Sequence, residues 1–117
     1  MKQYTDESQT AKLIELGFEK PKSISGYYQR GPYEYDAENN TKMVVYDDTQ
    51  YPIYAYSIGE LISFLPDDGV SDKRLEFDGY HWFVDWDSFD KIHQTMQVEL
   101  VDALYDMILR LKEEGVI

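Results

Sequence analysis

The segment TMQVELVDALYDMILRLKEEG, residues 95–115, constrains the fold most. Leu100, Val101, Leu104, Met107, Ile108 and Leu111 recur at helical spacing and make one apolar stripe. Thr95 reads as the cap and Gly115 as the terminator, which places a helix over residues 96–114. Glu99, Asp102, Asp106 and Glu113 fall on the opposite side, with Asp106 one turn from Arg110 and able to pair with it. Such a helix needs a second layer against which to bury its stripe.

That layer is legible in KRLEFDGYHWFVDW. Asp78-Gly79 is a favoured two-residue hairpin turn, because both positions tolerate positive φ. With that turn Phe77 faces Tyr80, Leu75 faces Trp82 and Lys73 faces Val84. One face then collects Leu75, Phe77, Tyr80, Trp82 and Val84. The other carries Arg74, Glu76, His81, Phe83 and Asp85, with Glu76 opposite His81. This alternation belongs to an antiparallel sheet packed on one side.

Two shorter helices precede it. In YTDESQTAKLIELGFEKP, Thr5 or Asp6 can cap a helix over 6–16. Ala11, Leu13, Ile14 and Leu16 form its apolar stripe, and Gly17 followed by Pro21 ends it. In YSIGELISFLP, Ser57 and Glu60 form a capping box for a helix over 57–65. Ile58, Leu61, Ile62 and Leu65 face the core, and Pro66 stops it. Between the two helices the chain is extended and turn-rich. SISGYYQ, TKMVVYDD and YPIYAY read as short strands, and DAENN as a loop. The predicted fold is α+β in a single domain, residues 1–117. A small antiparallel sheet of three to four short strands packs against a long C-terminal helix and two shorter helices.

The order of these pieces resembles small proteins from phages and integrated mobile elements of gut Bacteroidetes. QTAKLIELGFEKP, a turn-rich middle, YSIGELISFLP, a hairpin with WFVDW and ELVDALYDMILRLKEEGVI carry the likeness. It covers both ends and the 56–66 helix, and does not extend over residues 23–52. The resemblance implies an accessory protein that binds a host or phage protein. It brings no catalytic residues with it.

Charge narrows the partners. The chain carries −12, unevenly: residues 1–30 balance at +1 and residues 31–117 at −13. Such a surface repels phosphate backbones, which disfavours direct nucleic-acid binding and allows a basic protein partner. With no cysteine there is no disulfide framework, thiolate metal site or thiol nucleophile. No apolar run is long enough to span a bilayer, and MKQYTDESQT has no signal-peptide core. The expectation is a soluble cytoplasmic protein without membrane contact.

Chemistry finds little foothold. DWDSFD offers Asp85, Asp87 and Asp90, but the glycine and glutamate that a calcium loop needs are missing. His81 and His93 are the only histidines, and His81 with Asp85 falls short of a zinc ligand set. There is no nucleophile elbow and no phosphate-binding glycine loop. The expectation is a non-enzyme without cofactor or metal. A small hydrolase using two carboxylates is the third reading, and sequence spacing alone does not bring any pair together.

Two surfaces are candidates for binding. In GYYQRGPYEYDAENN, the residues Tyr27, Tyr28, Arg30, Tyr33 and Tyr35 combine rings with a guanidinium, the composition of binding hot spots. Tyr33 and Tyr35 alternate, as do Tyr54 and Tyr56, so each pair projects to one strand face. The structural alternative is a sheet whose rings cover it while the hydroxyls meet water. The second surface is the acidic face Glu99, Asp102, Asp106 and Glu113, which could imitate a phosphate backbone. The leading function is thus a protein-interaction module, with an acidic nucleic-acid decoy as the alternative. A homodimer through the tyrosines is also allowed.

Overall fold

The computed structural model describes residues 1–29, 33–36, 41–44, 49–67, 72–88 and 91–117. The elements are α1 (Glu7–Glu15), β1 (Ser23–Tyr28), β2 (Tyr33–Asp36), β3 (Thr41–Val44), β4 (Tyr51–Ala55), α2 (Ile58–Phe64), β5 (Asp72–Phe77), β6 (Trp82–Asp87), β7 (Ile92–Gln97) and α3 (Leu100–Glu113). The fold is α+β, as the sequence predicts. β5-β6-β7 form one three-stranded antiparallel sheet, while β1 neighbours β4 and β2 pairs antiparallel with β3. The chain divides into two compact units, one of residues 1–23 and 55–117, the other Ile24–Tyr54. No helix among the described residues is long and apolar enough to cross a membrane.

In the larger unit α3 lies on β6 and β7. Its predicted stripe is buried throughout: Val101, Leu104, Met107, Ile108 and Leu111 are fully inside and Leu100 almost so. Each such side chain contributes roughly 1.5–3 kcal/mol of gross stabilisation. Val84 and Trp86 of β6 close the core from the sheet side, and Leu13, Tyr56, Leu61 and Leu65 from the other. The Phe64 ring meets Phe18 at 5.0 Å and the Tyr56 ring edge-on at 5.4 Å.

Both short helices start as their caps dictate. Asp6 caps α1 and Ser57 caps α2, each in a full capping box. Gly17 adopts φ +95°, the left-handed conformation that ends a helix most cheaply with glycine. The stripe of α1 is narrower than its pattern suggests. Leu13 is buried and Leu16 half-buried, whereas Ala11 and Ile14 are exposed. Thr10 takes the second inward place, its hydroxyl bonded to Thr5 Oγ1 at 2.7 Å. In α2 Leu61 and the following Leu65 are buried, while Ile58 and Ile62 are half-buried against the same core.

The largest correction concerns residues 92–99. The helix starts at Leu100, and residues 92–97 form β7, the third strand of the sheet. Thr95 is therefore not a helix cap. It sits buried in the strand and its hydroxyl donates to Ala103 O at 2.6 Å. Period-two burial of His93 and Thr95 decides the matter, because both point to the face that α3 covers.

The hairpin is also wider than a two-residue turn. Phe77 pairs with Trp82 and Leu75 with Val84, leaving four residues, 78–81, in the loop. The Asp78 carboxylate accepts from the N–H of Tyr80 at 2.8 Å and of His81 at 2.7 Å. Two charge-assisted bonds to one carboxylate favour this loop over the tighter turn. Gly79 supplies the positive φ, +99°. The register differs from expectation by two residues, an even number, so every strand side chain keeps its predicted face. Glu76 faces Phe83 rather than His81, and Tyr80 is exposed in the loop.

Candidate functional site

The tyrosine surface takes shape on β1 and β4. Tyr28 stacks on Tyr51 with ring centroids 5.4 Å apart, and Ser25 Oγ donates to Ile53 O at 3.2 Å. Strand periodicity then places Ile24, Tyr28, Tyr51 and Ile53 on one face and Tyr27 and Tyr54 on the other. Tyr27 is 59%, Tyr28 53% and Tyr54 52% exposed, so rings stand in water on both faces. A two-stranded ribbon has no second layer of its own with which to bury two faces. At one end Tyr27, Tyr28, Gln29 and Gln50 line an open cleft of about 290 Å³.

Tyr33 and Tyr35 lie on β2, in register with Val44 and Lys42 of β3. Arg30 lies outside the described residues. Tyr54 and Tyr56 part company. Tyr54 is exposed on β4, whereas Tyr56 follows the strand end and is fully buried. Its hydroxyl donates to Glu19 O at 2.6 Å, and its backbone N–H to Thr5 Oγ1 at 3.0 Å. Burial, with the Glu60 and Glu19 carboxylates nearby, pushes its phenol up.

The acidic face of α3 is largely occupied by the chain itself. Glu99 Oε2 accepts the backbone N–H of Lys2 at 2.8 Å. Asp102 Oδ1 accepts from Lys2 Nζ at 2.7 Å and from Gln9 Nε2 at 2.8 Å. Asp106 takes Gln97 Nε2 at 2.8 Å rather than Arg110, whose guanidinium reaches Gln94 O at 2.8 Å. Glu113 remains exposed. Three of the four carboxylates thus hold neighbouring elements together. Sequence periodicity showed their common face and not their partners.

Of the remaining titratable groups, His93 and Glu60 are the most embedded in contacts. His93 is 5% exposed, tilted against the Trp86 ring, and in contact with Glu114 Oε2 through Nε2. A carboxylate only accepts, so Nε2 carries the proton, and that hydrogen bond holds the Glu114 carboxyl below its usual range. His93 Nδ1 and Asp87 Oδ1 are buried without a hydrogen-bond partner among the described residues. Burial would push the Glu60 carboxyl up. Hydrogen bonds from Ser23 Oγ, Lys22 N–H and Ser57 outweigh it and hold the group low.

Asp85 accepts from Gln94 Nε2 at 2.8 Å and Asp87 pairs with Arg74 at 3.5 Å, while Asp90 lies outside the described residues. Among the described residues no three His, Asp or Glu side chains converge on a metal-sized space. Among the described residues, each carboxyl with a resolved shift (Asp6, Glu60, Asp78, Glu114) is lowered, whereas a general acid needs a raised one. Comparison with known protein families, curated proteins and solved structures finds no match for this chain.

Proposed function

We propose that this chain is a non-catalytic protein-interaction module, an accessory protein of a phage or mobile element, acting in the cytoplasm through its tyrosine surface. One observation carries the proposal: Tyr27, Tyr28 and Tyr54 stand at least half exposed on both faces of the β1–β4 ribbon, beside Ile24 and Ile53. Rings with polar tips lose little conformational freedom on contact and bring large area to an interface. The chain's negative charge favours a basic partner. The mobile-element origin rests on the order of sequence pieces described above. An acidic decoy gains no comparable support, because Glu99, Asp102 and Asp106 already hold internal donors.

The test is affinity capture from bacterial extract with wild type, Tyr27→Ala/Tyr28→Ala and Tyr54→Ala side by side. The proposal expects one protein retained by wild type and lost by the tyrosine variants, with thermal unfolding unchanged. Equal retention by all three proteins would refute it.

A further inference from the structure

The second exposed feature lies in the larger unit, at the free edge of its sheet. β5 has only β6 as a neighbour among the described residues, and five of its six residues are exposed. α3 covers β6 and β7, so Leu75 and Phe77 extend the apolar face beyond the helix, 38% and 54% open. Phe77 stacks on Trp82 at 4.9 Å, which fixes its ring at that rim. An unpaired strand edge is a template for another strand. Charges usually guard such edges, and β5 reads Asp72, Lys73, Arg74, Leu75, Glu76, Phe77.

These charges are self-complementary about one point. Laid antiparallel against a second β5 with the two-fold axis at Leu75, Arg74 of each chain faces Glu76 of the other. Leu75 faces Leu75, and Lys73 faces Phe77. Residues an even distance apart share a face, so the two Arg74–Glu76 pairs lie on the outer face and the apolar contacts on the α3 side. Moving the axis to Arg74 or Glu76 sets identical charges against each other. β7, the other edge of the sheet, has no acidic side chain and only His93 as a base, so it offers no such pattern. Arg74 keeps its link to Asp87 at 3.5 Å while its 57% exposed side chain remains accessible.

We propose that the β5 edge is a homodimer interface, in which two copies pair antiparallel about Leu75 and join their sheets into one of six strands. An isologous contact requires each residue pair to occur twice, and the Arg74–Glu76 arrangement does so. The proposal uses no residue of β1 or β4, so failure of either proposal leaves the other standing.

Analytical ultracentrifugation from micromolar to millimolar chain concentration tests it. Wild type should dimerise reversibly. Arg74→Glu alone and Glu76→Arg alone each set like charges together twice, and should weaken the dimer by about tenfold or more. Mixing these two variants in equal amounts should restore association, because acidic edge then meets basic edge. The double exchange R74E/E76R should restore it within one chain. Leu75→Lys, at an exposed position on the axis, should abolish it while circular dichroism stays native. A wild type that stays monomeric, a dimer that the single reversals leave intact, or a mixture that fails to associate would each overturn the assignment.

Discussion

Lys2 Nζ donates to Asp102 Oδ1 at 2.7 Å, joining positions 100 apart in sequence. The same ammonium also reaches Asp6 at 3.3 Å and Gln9 at 3.0 Å. One N-terminal side chain thereby ties the start of α1 to the first turn of α3. Asp102→Ala should lower unfolding free energy by about 1–2 kcal/mol, since it strands two donors in a partly buried site. Urea titration measures this. The loss should shrink at high salt, because both charged partners are more than a quarter exposed. An unchanged midpoint would show that the clasp does not form in solution.

Acid should undo a second group of contacts. Hydrogen bonding holds the Glu60 and Glu114 carboxyls below the usual range. Stability from a depressed carboxyl is fully present above its unfolded value and disappears as pH falls through its folded value. Thermal midpoints should therefore hold steady across neutral pH and decline below about pH 4. Glu60→Gln should flatten that decline. An acid limb as steep as in wild type would assign it to other groups.

Tyr56 is buried to its hydroxyl, and the hydroxyl has one acceptor, Glu19 O. Tyr56→Phe should cost about 1–2 kcal/mol by leaving that carbonyl short of a donor. Chemical denaturation reads the change, and a neutral result would mean water replaces the phenol.

Leu104 is fully buried at the centre of the α3 stripe. Leu104→Ala should destabilise by about 2–5 kcal/mol through lost transfer energy and the cavity left behind. A loss below about 1 kcal/mol by calorimetry would mean that α3 does not seal the core.

Gly79→Ala tests the loop. A Cβ there meets open space, so the cost is that of the backbone at φ +99° alone. About 1–2 kcal/mol is expected in thermal unfolding, with an unaltered circular dichroism spectrum. A stabilising effect would argue against the four-residue loop.

Local signals made much of this molecule legible from sequence. The Ser57–Glu60 capping box, the cap at Asp6, the Gly17 terminator and the stripe of α3 depend on neighbours within one or two turns, and they are where the pattern puts them. The tyrosines were visible as a cluster, and Tyr27 and Tyr28 are exposed. Errors arose where a local signal had two uses. Thr95 can cap a helix or line a strand, and β7 turns polar His93 and Thr95 inward while apolar Ile92 and Met96 face out, the reverse of the alternation that announces a half-buried strand. Asp78-Gly79 fits either a two- or a four-residue loop, and only the hydrogen bonds of the Asp78 carboxylate separate them.

Sequence by itself determined the apolar stripe of α3, where the two short helices begin and stop, and that the hairpin's two faces differ. Those properties follow from periodicity and from side chains that bond their own backbone. Tertiary structure decided the partners of the acidic stripe, the inward turn of Tyr56 and the place of β5 at one end of the described three-stranded sheet. Each of these is a choice among distant groups, made when burial of the α3 seam brought Lys2, Glu19 and the sheet into fixed places. Residues 100 apart bond because the core holds them together, and no local preference encodes that meeting.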